Sequence, residues 1–249
     1  IIKDSLEKGM FRVFFQPKVD IVTGKIRGAE ALVRLVDKEG KLISPGRFVP
    51  LAEENGQILE IDNFVYKETF RLMQKWQQEG KQVPLISVNV SRLHLLQDEL
   101  PQYIKSLSDE YGLKPGQIEL EITESVFFQD TERLVAIIKQ MRDLGFVISM
   151  DDFGAGFSTL SLMKSLPVDV IKLDGGFFLK SELDDKNKAV IAAMLHLAEN
   201  LGFEVIAEGV EKKEQVDFIR GQGGRLVQGY YYYKPMPADE FEKLLTEKK

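Results

Sequence analysis

Cysteine is absent from the 249 residues, which excludes disulfides, thiolate nucleophiles and thiolate metal sites and suits a reducing compartment. Histidine is scarce: only His94 and His196 occur. Both fall in helical or loop context, where a satisfied helix-surface histidine is expected, so a zinc hydrolase with histidine ligands is a poor fit. Positive charge is not in excess, with a formal net charge of −6 and no Lys/Arg run. That leaves no basic stripe to track the backbone of a DNA or RNA polymer. No apolar run approaches the roughly 18 residues of a membrane span, and the N-terminus lacks a secretory pattern. No membrane contact is therefore expected from this chain itself. It begins at Ile1 rather than methionine, and we expect a single domain, residues 1–249, cut from a longer modular signalling protein. The expected location is cytoplasmic, as a free protein or as the cytoplasmic part of a membrane-anchored one.

With 44% hydrophobic and 29% charged residues, the chain can bury a substantial core. Apolar runs of about five residues recur, most followed by a helical pattern that ends in glycine. The candidate strands are RVFFQ (12–16), RGAEALVRL (27–35), LISVNV (85–90), IELEIT (118–123), FVISMD (146–151), DVIKLD (169–174), EVIAEG (204–209) and RLVQGYY (225–231). Ile61, Phe64, Val65, Leu72 and Trp76 share a helix face ahead of Gly80, as do Leu134, Ile137, Ile138, Met141 and Leu144 ahead of Gly145. Val190, Met194, Leu197 and Leu201 repeat the pattern before Gly202. Ser44-Pro45 reads as an N-cap and first turn for a short helix to about Asn55. Eight strands with intervening helices point to an α/β fold of the (β/α)8 barrel type, with an open doubly wound sheet as the alternative that periodicity leaves standing.

In such a barrel the C-terminal strand ends converge on one face. The late strand positions carry Gln16, Glu30 with Arg34, Asn89, Glu121, Asp151 with Asp152, Lys172, Glu208 and Gln228. A lone strand-end carboxylate is usually a cap or a surface ion pair, but here every strand contributes a polar residue. Five carboxylates converging with few cations suit Mg²⁺ or Mn²⁺, and two such ions about 4 Å apart can share a bridging carboxylate and clamp a phosphoryl group. Divalent ions would also offset the repulsion between the adjacent Asp151 and Asp152. A strand-end lysine such as Lys172 could instead serve as a Schiff-base nucleophile, although the surrounding carboxylates would keep it protonated.

Eight segments in order, including EALVR (30–34), FFQPKVD (14–20), SVNVS (87–91), ELEITES (119–125), DDFGAGFSTL (151–160), LPVDVIKLD (166–174), AEGVE (207–211) and QGYYYYKPMP (228–237), resemble the EAL-domain cyclic-di-GMP phosphodiesterases. The resemblance implies a barrel whose first strand is antiparallel to the rest and a two-metal site that hydrolyses cyclic di-GMP to linear pGpG. By the same resemblance, Glu30, Asn89, Glu121 and Asp151 hold the first metal. Asp151 bridges to a second metal held with Asp152 and Glu208, and Lys172 positions the attacking water. Glu124 braces the loop after Asp152. Gln16 and Arg34 contact substrate, while Asp174, Glu211 and Gln228 lie on the substrate side or behind it. The segment 154–166 resembles the family's link between active site and dimer interface, implying a homodimer. Leu35 and Gly175-Gly176 stand where the family often has tryptophan and Arg-Ser, and the double glycine is expected to loosen the turn after the sixth strand. Tyr230 to Tyr233 are expected to alternate in burial along the last strand, or to offer a ring for guanine stacking. The alternative to hydrolysis is a receptor module that binds cyclic di-GMP and signals through a partner or the dimer interface.

Overall fold

Residues 2–128, 131–154, 167–179 and 185–246 are described by the structure, a computed structural model. Eight strands close a ring: β1 (Phe11–Asp20), β2 (Ile26–Val36), β3 (Leu85–Asn89), β4 (Ile118–Thr123), β5 (Val147–Phe153), β6 (Val170–Leu173), β7 (Glu204–Ala207) and β8 (Leu226–Val227). Strands β2 to β8 are parallel neighbours in sequence order. β1 is antiparallel to both β2 and β8 and closes the barrel between them. The expected (β/α)8 architecture with a reversed first strand is present. Its cause is local, because residues 21–25 are too few for a crossover helix and permit only a hairpin. Two short antiparallel additions, Leu42–Ile43 on β2 and Met236–Pro237 on β1, extend the rim.

Alternation along the strands sorts two sets of residues. Ile86, Val88, Ile118, Leu120, Ile122, Ile148, Met150 and Ile171 join one apolar cluster with helix residues such as Trp76, Leu134 and Ile138. Val170, Ile206 and Leu226, with Val147 against them, form a separate small cluster that fills the lower barrel. One step up the same inward faces come Ser87, Ser149, Lys18 and Glu119, all buried. The acids of the site lie above them.

Several boundaries differ from those expected. β1 runs four residues beyond Gln16, which places Gln16 in mid-strand; the reversed direction of β1 is what carries it to the site. The last strand stops at Val227 instead of continuing through 231. Gly229 there packs so closely on Val210 that a Cβ would lie 2.1 Å from the Val210 carbonyl oxygen, and Tyr231 N–H donates to that carbonyl at 3.0 Å. Tyr230 to Tyr232 therefore form a turn, and neighbouring Tyr230 and Tyr231 are exposed together rather than alternating. In the helix Asp185–Asn200 the buried stripe is Ile191, Leu195 and Ala198, one position on from the expected stripe, whose Val190 and Leu201 are exposed. Ser44 precedes the helix Pro45–Glu54 without a side-chain capping bond. His196 is on a helix surface as expected. His94 is buried, with Nδ1 3.3 Å from Asp62 Oδ2 and its ring stacked on Tyr66. The segment 155–166, to which dimerisation is ascribed, lies outside the described residues. No described helix is long and apolar enough to cross a membrane.

The β1–β2 hairpin depends on Asp20, whose Oδ1 accepts from the N–H groups of Val22 (2.9 Å) and Thr23 (3.0 Å) and whose Oδ2 accepts from Arg225 Nε at 2.8 Å. Burial alone would raise its pKa, but the Thr23 N–H, Arg225 and the Val22 N–H hold it below the usual carboxylate value. A lowered native pKa means that the unfolded chain binds the proton more tightly. The stabilisation is then complete above about pH 4 and disappears as pH falls through the native value. Asp20→Ala is expected to lower stability by about 1–3 kcal/mol at neutral pH. In urea melts from pH 7 to 3 the gap to the parent should close at the acid end, and a gap independent of pH would contradict the assignment.

Candidate active site

The site is assembled from consecutive strands. Glu30 on β2 pairs in register with Ser87, Asn89 with Glu121, and Glu121 with Ser149, so successive parallel strands deliver their side chains at similar height. Asp151 follows two residues after Ser149, on the same inward face of β5. A regular strand would then turn Asp152 outward. Instead the register with β6 is broken between Met150 and Phe153, and Asp152 has φ +56°, the one positive φ among described residues other than glycine. This irregularity aims both aspartates at one centre, as strand bulges near active sites do.

One carboxylate oxygen from each of Glu30, Glu121 and Asp151 falls within 4.8 Å of the others, and the same holds for Asp151, Asp152 and Glu208. Asp151 belongs to both triads. Lys172 Nζ stands among them, 2.8 Å from Glu121 Oε2, 2.8 Å from Glu208 Oε1, 3.1 Å from Asp151 Oδ1 and 3.4 Å from Glu30 Oε2. Among the described residues, Lys172 forms no ion pair with Asp174. Asn89 Nδ2 donates to Glu30 Oε1 at 2.9 Å, so that the amide oxygen is the atom Asn89 could offer to a cation. Gln228 Nε2 donates to Glu30 Oε2 at 2.6 Å and to Gln16 Oε1 at 3.2 Å.

Electrostatics follow from that crowding. Burial and then Glu121 push the Glu30 carboxyl up to about 7. Burial, with Asp151 and Asp174 next, takes Asp152 to about 6, and burial raises Glu208 well above the usual range despite Lys172. Glu121 is the exception: burial would raise it, but Lys172 and Lys18 hold it far below. Burial alone would depress the Lys172 ammonium, yet Glu121, Glu208, Glu30 and Asp151 keep it well above the ordinary lysine value. The protein thus gathers more negative charge than its own cations neutralise. Hard oxygen donors in two triads sharing one carboxylate fit a pair of divalent cations, which would offset that charge.

The other expected residues fall around this centre. Gln16, Glu30, Asp151, Lys172, Glu208, Glu211, Gln228 and Tyr230 line one cavity of about 370 Å³. Glu211 is on its exposed edge, outside the carboxylate triads. Arg34 and Asn89 line a larger neighbouring cavity of about 610 Å³, walled mainly by Val33, Val49, Ile58, Ile61, Val65 and Leu93. The smaller cavity is the one that reaches the acid centre, through Glu30, Asp151 and Glu208. Arg34 is half-buried, donating to the Val33 carbonyl, with its guanidinium over the Phe14 ring. Glu124 Oε2 accepts from Gly154 N–H at 2.9 Å, at the start of the segment after Asp152. Gly176 N–H donates to Asp174 Oδ1 at 2.7 Å, where a Cβ on Gly176 would sit 2.5 Å from that oxygen. A Cβ on Gly175 would come 3.3 Å from Gly209 Cα. The double glycine, expected to loosen this turn, lets it close tightly. Leu35 is buried in the outer apolar layer.

Two features escaped the sequence pattern. Lys18 Nζ is 2.8 Å from Glu121 Oε1 and 2.9 Å from Glu119 Oε2. The alternation Gln16, Lys18, Asp20 on β1 and Glu119, Glu121 on β4 was the signal that could have found it, since polar residues two apart share a face. Behind Asn89, Tyr66 Oη donates to its carbonyl at 3.2 Å, and Asp62 Oδ2 accepts from Ser91 N–H at 3.3 Å.

Fold and site together define a closed α/β barrel with a carboxylate-rich centre at its C-terminal rim. A family model described as the EAL domain matches residues 1–235, and the chain belongs to that family. It is 36% identical over 96% of its length to the oxygen sensor protein DosP of Escherichia coli (strain K12). It is 34% identical over 96% to the bifunctional diguanylate cyclase/cyclic di-GMP phosphodiesterase MucR of Pseudomonas aeruginosa. The chain spans 30% and 35% of those two proteins. The solved structure of the PaMucR phosphodiesterase in complex with c-di-GMP superposes with a TM-score of 0.91 at 34% identity, covering 96% of this chain and 97% of that one.

Removing one partner from a buried ion cluster leaves uncompensated charge. Lys172→Met is expected to lose about 3–5 kcal/mol of stability in urea denaturation with EDTA at pH 8. An unchanged midpoint would show that Lys172 is not the counter-ion of the cluster.

Proposed function

We propose that this domain is a metal-dependent phosphodiesterase that hydrolyses cyclic di-GMP to linear pGpG. The observation that carries the assignment is the sharing of Asp151 between two oxygen triads around Lys172. Membership of the EAL family and the likeness to a cyclic-di-GMP-bound phosphodiesterase support the substrate. Glu30, Asn89, Glu121 and Asp151 would hold one ion, and Asp151, Asp152 and Glu208 the other, both Mg²⁺ or Mn²⁺. When bound, such ions supply an activated water and Lewis-acid stabilisation of the phosphoryl oxygens.

The chain's own groups do the rest. Lys172 can donate hydrogen bonds to the attacking water and to charge developing on phosphate. Arg34, on the wall of the larger cavity, offers a planar two-point donor set for a phosphate. Gln16 and Gln228 present amides beside Glu30, where they orient substrate and the acid alike. Asp174 backs Asp152 and Glu211 faces the substrate cavity, while Glu124 anchors the backbone that leaves Asp152. Water attack on phosphorus forms one P–O bond as the bond to the 3′ oxygen breaks, and the departing oxygen takes up a proton.

Purified protein with Mn²⁺ or Mg²⁺ should convert cyclic di-GMP to pGpG, EDTA should stop it, and Glu30→Ala should lower turnover at least about a thousandfold. Intact substrate under both metals overturns hydrolysis, and tight binding without turnover identifies the receptor alternative.

We further propose that the domain is one part of a longer cytoplasmic or membrane-anchored protein, in keeping with its share of its relatives' length. A homodimer formed through the segment 154–166 completes the proposal. Light scattering at high concentration should give twice the monomer mass of 28.3 kDa, and a monomer mass there contradicts it.

A further inference from the structure

Lys18 has no part in the chemistry proposed above, yet it occupies the centre of the barrel. Its side chain is 3% exposed, and those of its partners Glu119 and Glu121 are 1% and 0% exposed. Room is made for it. Gly28 is its register partner on β2, and a Cβ there would lie 2.8 Å from the Leu85 carbonyl oxygen and 3.5 Å from Lys18 Cδ. The strands flanking β4 contribute small side chains at this level, Ser87 beside Glu119 and Ser149 beside Glu121. One layer lower the interior is apolar, filled by Val170, Ile206 and Leu226. The chain can therefore fill its barrel with hydrocarbon, and at the Lys18 level it keeps a buried ion pair whose desolvation is expensive. Stability is a poor explanation, because Glu119 Oε1 meets no donor among the described residues.

The geometry points to Lys18 as a positioning residue: its ammonium fixes Glu121 Oε1 from beneath, so that Oε2 is presented to the centre shared with Glu30 and Asp151. Lys172 bonds Oε2 at 2.8 Å and Lys18 bonds Oε1 at 2.8 Å, so the carboxylate is gripped at both ends. Glu119 balances the charge of Lys18. The pair therefore orients Glu121 without changing the net charge beneath the site. Groups that orient ligating side chains in this way typically govern affinity by about 10- to 100-fold.

This inference rests on the phosphodiesterase assignment, and the test separates the two. The charge-conserving double variant Lys18→Met with Glu119→Gln removes the grip on Glu121 and leaves total charge unaltered. Lys18→Met with Glu119→Leu is a second neutral pair, packed like the apolar layer below, for use if the first does not fold. Calorimetric titration with Mn²⁺ should show affinity weaker by about 10- to 100-fold, and steady-state kinetics on cyclic di-GMP at saturating Mn²⁺ should show kcat reduced with KM little changed. A folded double variant with the Mn²⁺ affinity and kcat of the parent overturns the role of Lys18 alone. A parent chain that neither binds Mn²⁺ nor turns over substrate overturns the phosphodiesterase assignment, and the Lys18 role falls with it.

Discussion

Mutual repulsion among five carboxylates is the constraint around which this barrel is arranged. Glu30, Glu121, Asp151, Asp152 and Glu208 crowd a space in which two triads of oxygens each fit within 4.8 Å. Such a group cannot stay fully charged in a buried setting unless cations meet it. Lys172 meets four of them directly and Lys18 meets Glu121 from below. Two lysines do not neutralise five acids; burial first, and then the neighbouring carboxylates, raise the pKa values of Glu30, Asp152 and Glu208. An imbalance of that sign, in hard oxygen donors, is what a divalent cation relieves.

The backbone answers the same constraint in two ways. A regular strand cannot point neighbouring side chains at one centre, and β5 does so only by breaking register with β6 and taking Asp152 into the left-handed region. Glu124 then holds the next turn through Gly154 N–H, at a position where the glycine has φ +93°. On the opposite side of the ring, β1 runs backwards. Its inward residues Gln16 and Lys18 therefore meet the site from rim to floor, in the order opposite to a parallel strand's. Gln16 reaches the amide of Gln228 above, and Lys18 reaches the acids below.

The barrel and most of the acid centre were legible in the primary structure because both follow from alternation. Strands such as 118–123 carry polar residues every second position between β-branched and leucine residues, and that pattern fixes an inward and an outward face. Short terminal strands were less legible. RLVQGYY looks extended over seven residues, but the contact of Gly229 with Val210 bends the chain after two. The burial of His94 depends on Asp62 and Tyr66, about 30 positions away, so helical context alone placed it on the surface. Two adjacent apolar stripes in Asp185–Asn200 differ by a single helical step, and tertiary packing chose the other one. Lys18 was illegible for a different reason: the expected strand ended at Gln16, two residues short of it, whereas β1 runs on to Asp20.

What holds Asn89 shows that the outer helices contribute to the site as well as to the core. The helix Ile58–Gln78 covers the barrel with Val65, Phe70 and Trp76, yet it also places Tyr66 and Asp62 against the backbone leaving β3. Tyr66 Oη takes the Asn89 carbonyl, and Asp62 takes Ser91 N–H and the His94 ring. The ring stacking of Tyr66 on His94 at 5.5 Å joins these bonds into one packed unit. A strand end that would otherwise be free to fray is thereby fixed from outside, while Glu30 takes the Asn89 amide from inside. Ordering a polar residue from both sides removes the conformational entropy that ligand binding would otherwise have to overcome. The polar network behind β3 and the lysine beneath β4 thus act alike: one holds the backbone at Asn89 and Ser91, the other the carboxylate of Glu121, and each fixes a group at the acid centre from behind.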